Sequence, residues 1–239
     1  MLSVLLGTHP PELPVRSLVH TARLFGVSEG TTRVALSRLV ADGDVTTGGG
    51  GYRLAPRLVA RQNRQDAALH LATRRWDGAW EVAVATRTLR GGAARAALAA
   101  DLTALRLAEM RPGVWVRPNN LVRSWPASVI GRAVIFEGPV VSGDGGGRSL
   151  AASLWDLAGW ARKAQALISA VQDRTEPGER FVVATAIVRH LQSDPVLPSP
   201  LLPEGWPGAR LRQAHAAYEA DLNDLLRRGR EPGSAPEPR

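Results

Sequence analysis

Between Pro14 and Leu54 the residues that set backbone direction leave room for one order of elements: helix, short turn, helix, hairpin. Pro14 lies near the start of a helix predicted over Val15–Phe25, where a missing N–H costs nothing. Leu18, Ala22 and Phe25 recur at helical spacing and would face a core. Gly26 can take the left-handed conformation that ends a helix. Ser28 can cap the next helix, predicted over Glu29–Ala41 and stopped at Asp42-Gly43. Two short β-prone runs, Asp44–Thr47 and Tyr52–Leu54, flank the glycines Gly48–Gly51 and read as a hairpin.

A helix, a three-residue turn and a helix form a helix-turn-helix, and a hairpin directly behind it would be its wing. In the second helix Thr32, Ala35, Leu36 and Leu39 share one face, expected in the core. The opposite face carries Glu29, Gly30, Arg33 and Ser37, with Thr31 and Arg38 at its edge. Short polar and guanidinium groups suit major-groove base edges and phosphates. The candidate DNA-binding residues are therefore Ser28, Thr31, Arg33, Ser37, Arg38 and, on the wing, Arg53. A helical hairpin that merely packs on the rest of the chain is the competing reading. The wing, following in the right order, favours DNA.

The remaining chain divides by punctuation into a central domain over 75–141, a helical domain over 148–228 and a tail over 229–239. The first domain covers 1–60, and Arg57–Arg64 reads as a polar, basic connector. Centrally, a strand over Trp80–Thr86, a helix over Gly92–Leu107 and strands over Val114–Arg117 and Arg132–Glu137 fit most of a ferredoxin-like unit. Trp76 and Trp80 flank the first strand and are read as core. Further on, Ser149–Val171 carries a broad apolar helical stripe. Arg180–Leu191 reads as helix, although Phe181-Val182-Val183 could equally begin a strand, and Ala209–Arg227 reads as helix. The tail is Pro, Gly and charge, and is expected to be disordered. The fold class is α+β.

Charge points the same way as the motif. The net charge is +8, yet only Lys163 among 30 basic residues is lysine, a bias any GC-rich genome imposes. Its distribution is more telling: residues 1–140 carry 18 basic and 10 acidic groups, and residues 141–239 carry 12 of each. A polyanion should prefer the first part, since phosphate contacts dominate affinity for DNA. No cysteine is present, which removes disulfides, thiolate chemistry and zinc fingers. No apolar run approaches the roughly 18 residues of a membrane span, and Met1–Leu6 is too short for a signal peptide. The expected location is the cytoplasm.

Val15–Leu54, Trp76–Trp80, Gly113–Pro118, Leu150–Leu157 and above all Asp194–Gly208, with five of the chain's 17 prolines, together resemble the PaaX family of bacterial repressors. The resemblance runs from about Leu5 to Leu226. It implies a winged helix, a central domain similar to the Cas2 fold and a mostly helical C-terminal domain. It also implies a homodimeric repressor of a catabolic operon on palindromic double-stranded DNA, with an aryl- or acyl-CoA thioester as the possible effector. The short glycine-rich loop Gly138–Arg148 suggests that the second ferredoxin-like helix is reduced to part of Leu121–Ile130. The rival readings are a constitutive regulator or an interaction scaffold with no small molecule.

A Cas2-like fold raises the question of a metal-dependent nuclease, which needs a carboxylate at the end of the first strand. That strand ends Ala85-Thr86-Arg87, and Glu81, at its other end, is expected to be solvated. The histidines His9, His20, His70, His190 and His215 include no pair at ligand spacing on one helix. Gly143–Gly147 lacks the lysine of a P-loop, and no nucleophile elbow occurs. The chain is therefore read as a regulator without catalytic residues, metal or cofactor.

Overall fold

The two central helices of the N-terminal segment end by the same device. In the computed structural model, which describes residues 1–69, 71–86, 91–141 and 146–228, α1 (Leu2–Leu6), β1 (Glu12–Pro14), α2 (Val15–Leu24) and α3 (Glu29–Ala41) come first. Gly26 (φ +72°) follows α2, with Val27 N–H bonded to Ala22 O at 2.9 Å and Gly26 N–H to Arg23 O at 3.0 Å. Gly43 (φ +69°) follows α3 with Asp44 N–H on Leu39 O and Gly43 N–H on Val40 O. Both are left-handed caps that satisfy the last carbonyls of a helix. Then come β2 (Val45–Gly48), β3 (Gly51–Leu54) and α4 (Pro56–Leu69). The connector expected at Arg57–Arg64 is thus helical. Arg57, Arg61 and Asn63 are exposed on α4, while Leu58 and Gln62 are buried.

The three strands form an antiparallel sheet of order β1-β3-β2. Gly49 and Gly50 turn the hairpin at φ +58° and +80°. Gly51 has a different duty: a Cβ there would lie 2.7 Å from Leu13 O, so β1 can pair with β3 only beside a glycine. Leu5, Leu13, Leu18, Leu36, Val45 and Leu54 are buried beneath this sheet and helix pair.

A second unit, residues 71–163 and Ser193–Pro207, is built on β4 (Ala79–Ala85), α5 (Gly92–Ala104), β5 (Ala108–Arg111), β6 (Val114–Pro118), α6 (Ala127–Ile130) and β7 (Ala133–Pro139). The sheet is antiparallel with order β5-β6-β4-β7, the strand order of a ferredoxin-like unit. The helix expected over Gly92–Leu107 stops at Ala104, and the residues after it supply β5, a strand the sequence reading lacked. Arg106 makes the turn at φ +67°. The second helix is reduced to four residues, α6. One sheet face packs Ala83 and Trp115 against Leu98, Leu102 and Val129. The other packs Trp80 and Val116 against Ala151, Leu157, Leu197 and Leu201. Trp80 and Trp76 both join this core, as expected.

The single helix expected over Ser149–Val171 is two, α7 (Gly146–Leu154) and α8 (Leu157–Asp173). Asp156 breaks it: its Oδ1 accepts the Gly159 N–H at 2.8 Å and caps α8. In the proline-rich run Leu197 and Leu201 are buried, and Val196 holds φ +51°. Asp194 Oδ1 accepts the Val196 N–H at 2.9 Å, and the Val196 carbonyl accepts Asn120 Nδ2 at 3.0 Å. Asn120 Oδ1 in turn accepts Arg117 Nη2 at 2.7 Å. Arg117 is fully buried, and burial pulls its guanidinium down to about 9, still protonated at neutral pH. Glu81, expected in solvent, is 3% exposed and ion-paired to Arg123. The strand's alternation does not bring it to water, because the face it shares is closed over.

The later part of α8, with α9 (Pro177–Leu191) and α10 (Gly208–Arg228), belongs to the first unit. Residues 180–191 are helical throughout, with Pro177 opening the first turn, so the strand alternative at Phe181–Val183 falls away. Helix α10 packs on α9 and on α2, burying Ile187 and Leu211. No helix among the described residues is long and apolar enough to cross a membrane. The tail 229–239 and the glycine-rich loop 142–145 lie outside the described residues.

Candidate nucleic-acid interface

Helix α3 presents two faces of opposite character. Thr32 and Leu36 are fully buried, and Ala35 and Leu39 are half-buried, as their spacing predicted. Thr31, Arg33, Ser37 and Arg38 are all exposed. They are gathered on one helix because the buried stripe fixes its rotation, which leaves the intervening positions to solvent.

Ser28 caps α3: its Oγ accepts the Thr31 N–H at 3.2 Å and lies 2.9 Å from Thr31 Oγ1. Two of the six candidates are thus engaged with one another at the helix start. Arg33 donates from Nε and Nη2 to Glu29 Oε1 at 3.0 and 2.8 Å, and Arg23 reaches Glu29 Oε2 at 2.8 Å. The hydrogen bond and charge of Arg33, with Arg23 behind it, hold the Glu29 carboxyl below its usual range. Arg53, on β3, donates to Glu12 Oε2 on β1 at 3.0 and 2.6 Å. Arg38 has no polar partner among the described residues. Arg33 and Arg53 are therefore pre-positioned by exposed carboxylates, which hold them weakly in water.

Two exposed residues of this surface had no assigned role in the sequence. Val34 is 54% exposed beside Arg33, an apolar group of the kind that contacts thymine methyls. Arg23 reaches the α3 start from the end of α2. A helical wheel drawn through both helices would have flagged them.

The chain matches three consecutive family patterns: PaaX-like protein over residues 1–58, PaaX protein central Cas2-like domain over 73–132, and PaaX-like protein C-terminal domain over 155–228. It belongs to the PaaX-like family, and so to a class of transcriptional regulators. Among solved structures it is similar to the uncharacterized protein Rv0674 from Mycobacterium tuberculosis. The identity is 39%, with a TM-score of 0.85 over 96% of this chain and 97% of that one. No curated protein matches it.

Proposed function

We propose that the chain is a sequence-specific DNA-binding repressor that acts as a homodimer on a palindromic operator. In this reading residues 1–60 form a winged helix-turn-helix, with α3 the recognition helix and the β2–β3 hairpin the wing. The observation that carries it is the exposed face of α3, where Thr31, Arg33, Ser37 and Arg38 stand clear of a fully buried Thr32 and Leu36. Arg33 exchanges Glu29 for a guanine edge, Arg38 meets phosphate, and Ser28 and Thr31 keep the helix start in shape. Arg53 contacts phosphate from the wing. The wing tip, Gly49-Gly50, has no side chains to place in a minor groove. Two copies of α3 enter major grooves about one helical turn apart. A small-molecule effector relieves repression by favouring one arrangement of the dimer.

The test is to select bound genomic fragments with the purified protein and to compare wild type with Arg33→Ala by gel shift. A palindromic footprint, with the variant losing roughly 1–3 kcal/mol at a specific base, supports the reading. Salt-sensitive binding without a preferred sequence, or an unchanged Arg33→Ala, overturns it.

A further inference from the structure

The first unit contains a cavity of about 380 Å³, lined by α1, α4, α9 and α10 together with the Gly7–His9 segment, and nothing described above uses it. Its walls are of two kinds. Leu6, Leu69, Val188 and Leu222 make an apolar surface. Arg61, Arg189 and Tyr218 add polar groups.

The arginines and carboxylates that line it are equal in number, but they are not paired with one another. His9 Nε2 lies 2.8 Å from Asp66 Oδ2, and His215 Nδ1 lies 3.6 Å from Glu219 Oε2, so each lining carboxylate already has a lining histidine. Arg61 and Arg189 are exposed at the cavity, and neither has a carboxylate partner among the described residues. Tyr218 is 7% exposed, and its hydroxyl is buried with no hydrogen-bond partner among the described residues. Burial pushes this phenol up to about 12, so it stays protonated and offers a donor. A buried donor left unmatched is costly, and a small movement of the Tyr218 ring that brings it to an acceptor in the cavity removes that cost.

We propose that this cavity binds a small organic monocarboxylate, with its apolar body against Leu6, Leu69, Val188 and Leu222, its charge toward Arg61 and Arg189, and Tyr218 donating to an oxygen. The volume lies near the bottom of the roughly 300–1,000 Å³ range of small-molecule sites. It has room for a ring or a short branched chain.

The cavity is linked to the α2–α3 turn through one side chain. Phe181 lines it, and the Phe181 ring centroid lies 5.3 Å from that of Phe25, three residues before Ser28. An occupant that presses on Phe181 therefore shifts the equilibrium of the α3 start, provided the two states differ in affinity for it. Only this effect on DNA depends on the regulator reading above; binding does not.

Calorimetric titration of the full chain without DNA tests the proposal, using benzoate and hexanoate with benzamide, benzylamine and benzoyl-coenzyme A as controls. Saturable binding of at least one acid, with the amide and amine silent, is expected. Tyr218→Phe deletes an atom with no hydrogen-bond partner among the described residues and should weaken that binding about tenfold. Arg189→Gln should do likewise while leaving the melting temperature unchanged. No binding by either acid overturns the proposal, as does binding of the amine or thioester instead, or an unweakened Tyr218→Phe. A gel shift on the same samples reads DNA binding separately, so failure of the cavity and failure of the regulator reading give different results.

Discussion

Phe25, which closes α2, and Phe181, on the first turns of α9, meet with ring centroids 5.3 Å apart and planes tilted at 42°. They are 156 residues apart in sequence, and this pair ties the turn before α3 to the C-terminal helices. Tilted aromatic pairs at this distance contribute about 0.5–1.5 kcal/mol beyond their buried area. A double-mutant cycle with Phe25→Leu and Phe181→Leu, read by urea unfolding, should return a coupling of that size. Strict additivity would mean the rings touch without cooperating.

Glu29 sits between Arg23 and Arg33 on the surface proposed to meet DNA. Glu29→Gln frees both guanidiniums and removes a negative charge from that surface. Its affinity for DNA should rise about two- to fivefold, the scale of an exposed ion pair. Fluorescence anisotropy at several salt concentrations measures this, and a fall in affinity would show that Glu29 positions Arg33 more than it restrains it.

Breaking the Glu81–Arg123 pair should be far more costly, since both side chains are nearly inaccessible. Arg123 Nε and Nη1 have no hydrogen-bond partner among the described residues, although the guanidinium lies 4.2 Å from the Trp125 ring centroid. Burial raises Glu81 and lowers Arg123, each against the pull of the other. Glu81→Gln alone should destabilise by about 3–5 kcal/mol, and Glu81→Gln with Arg123→Met should recover most of it. Chemical denaturation of the three variants decides.

Arg106 occupies the position after α5 where glycine is usual, with Leu107 N–H on Leu102 O at 3.0 Å and φ +67°. Its charge also opposes that of buried Arg117. Arg106→Gly should raise stability by about 1 kcal/mol, seen as a higher melting temperature.

Alkaline pH should act through Tyr218. Folding holds its phenol at about 12, against 10.0 for the free side chain. Between these values the unfolded chain loses the proton and the folded chain keeps it, so stability falls as pH rises through this window. In a Tyr52→Phe background Tyr218 is the sole tyrosine, and its tyrosinate absorbance should appear near pH 12 or with unfolding. Tyr218→Phe should lose that slope.

Much of the N-terminal segment was legible because its signals are local. Gly26, Ser28 and Gly43 act within one turn of themselves, and the Thr32–Leu36 stripe needs only helical spacing. The elements that were missed depend on distant partners. Strand β1 exists because Gly51 admits it, and β5 because β6 pairs with it. The Asp156 cap that splits Ser149–Val171 was local, but it is masked by an apolar stripe that continues through it. The cavity was invisible in sequence, since Leu6, Leu69, Val188 and Tyr218 share no period and meet only after folding.

The first unit is discontinuous in the chain: residues 1–69 are completed by Ala164–Gln192 and by α10. During synthesis α2 therefore leaves the ribosome long before α10, the helix that packs on it, exists, since chains grow at about 5–20 residues per second. For that interval α2 waits without the cover of α10. A nascent chain halted before α9 would be a client for chaperones. Excising residues 1–60 as a minimal module would recreate the same unfinished state.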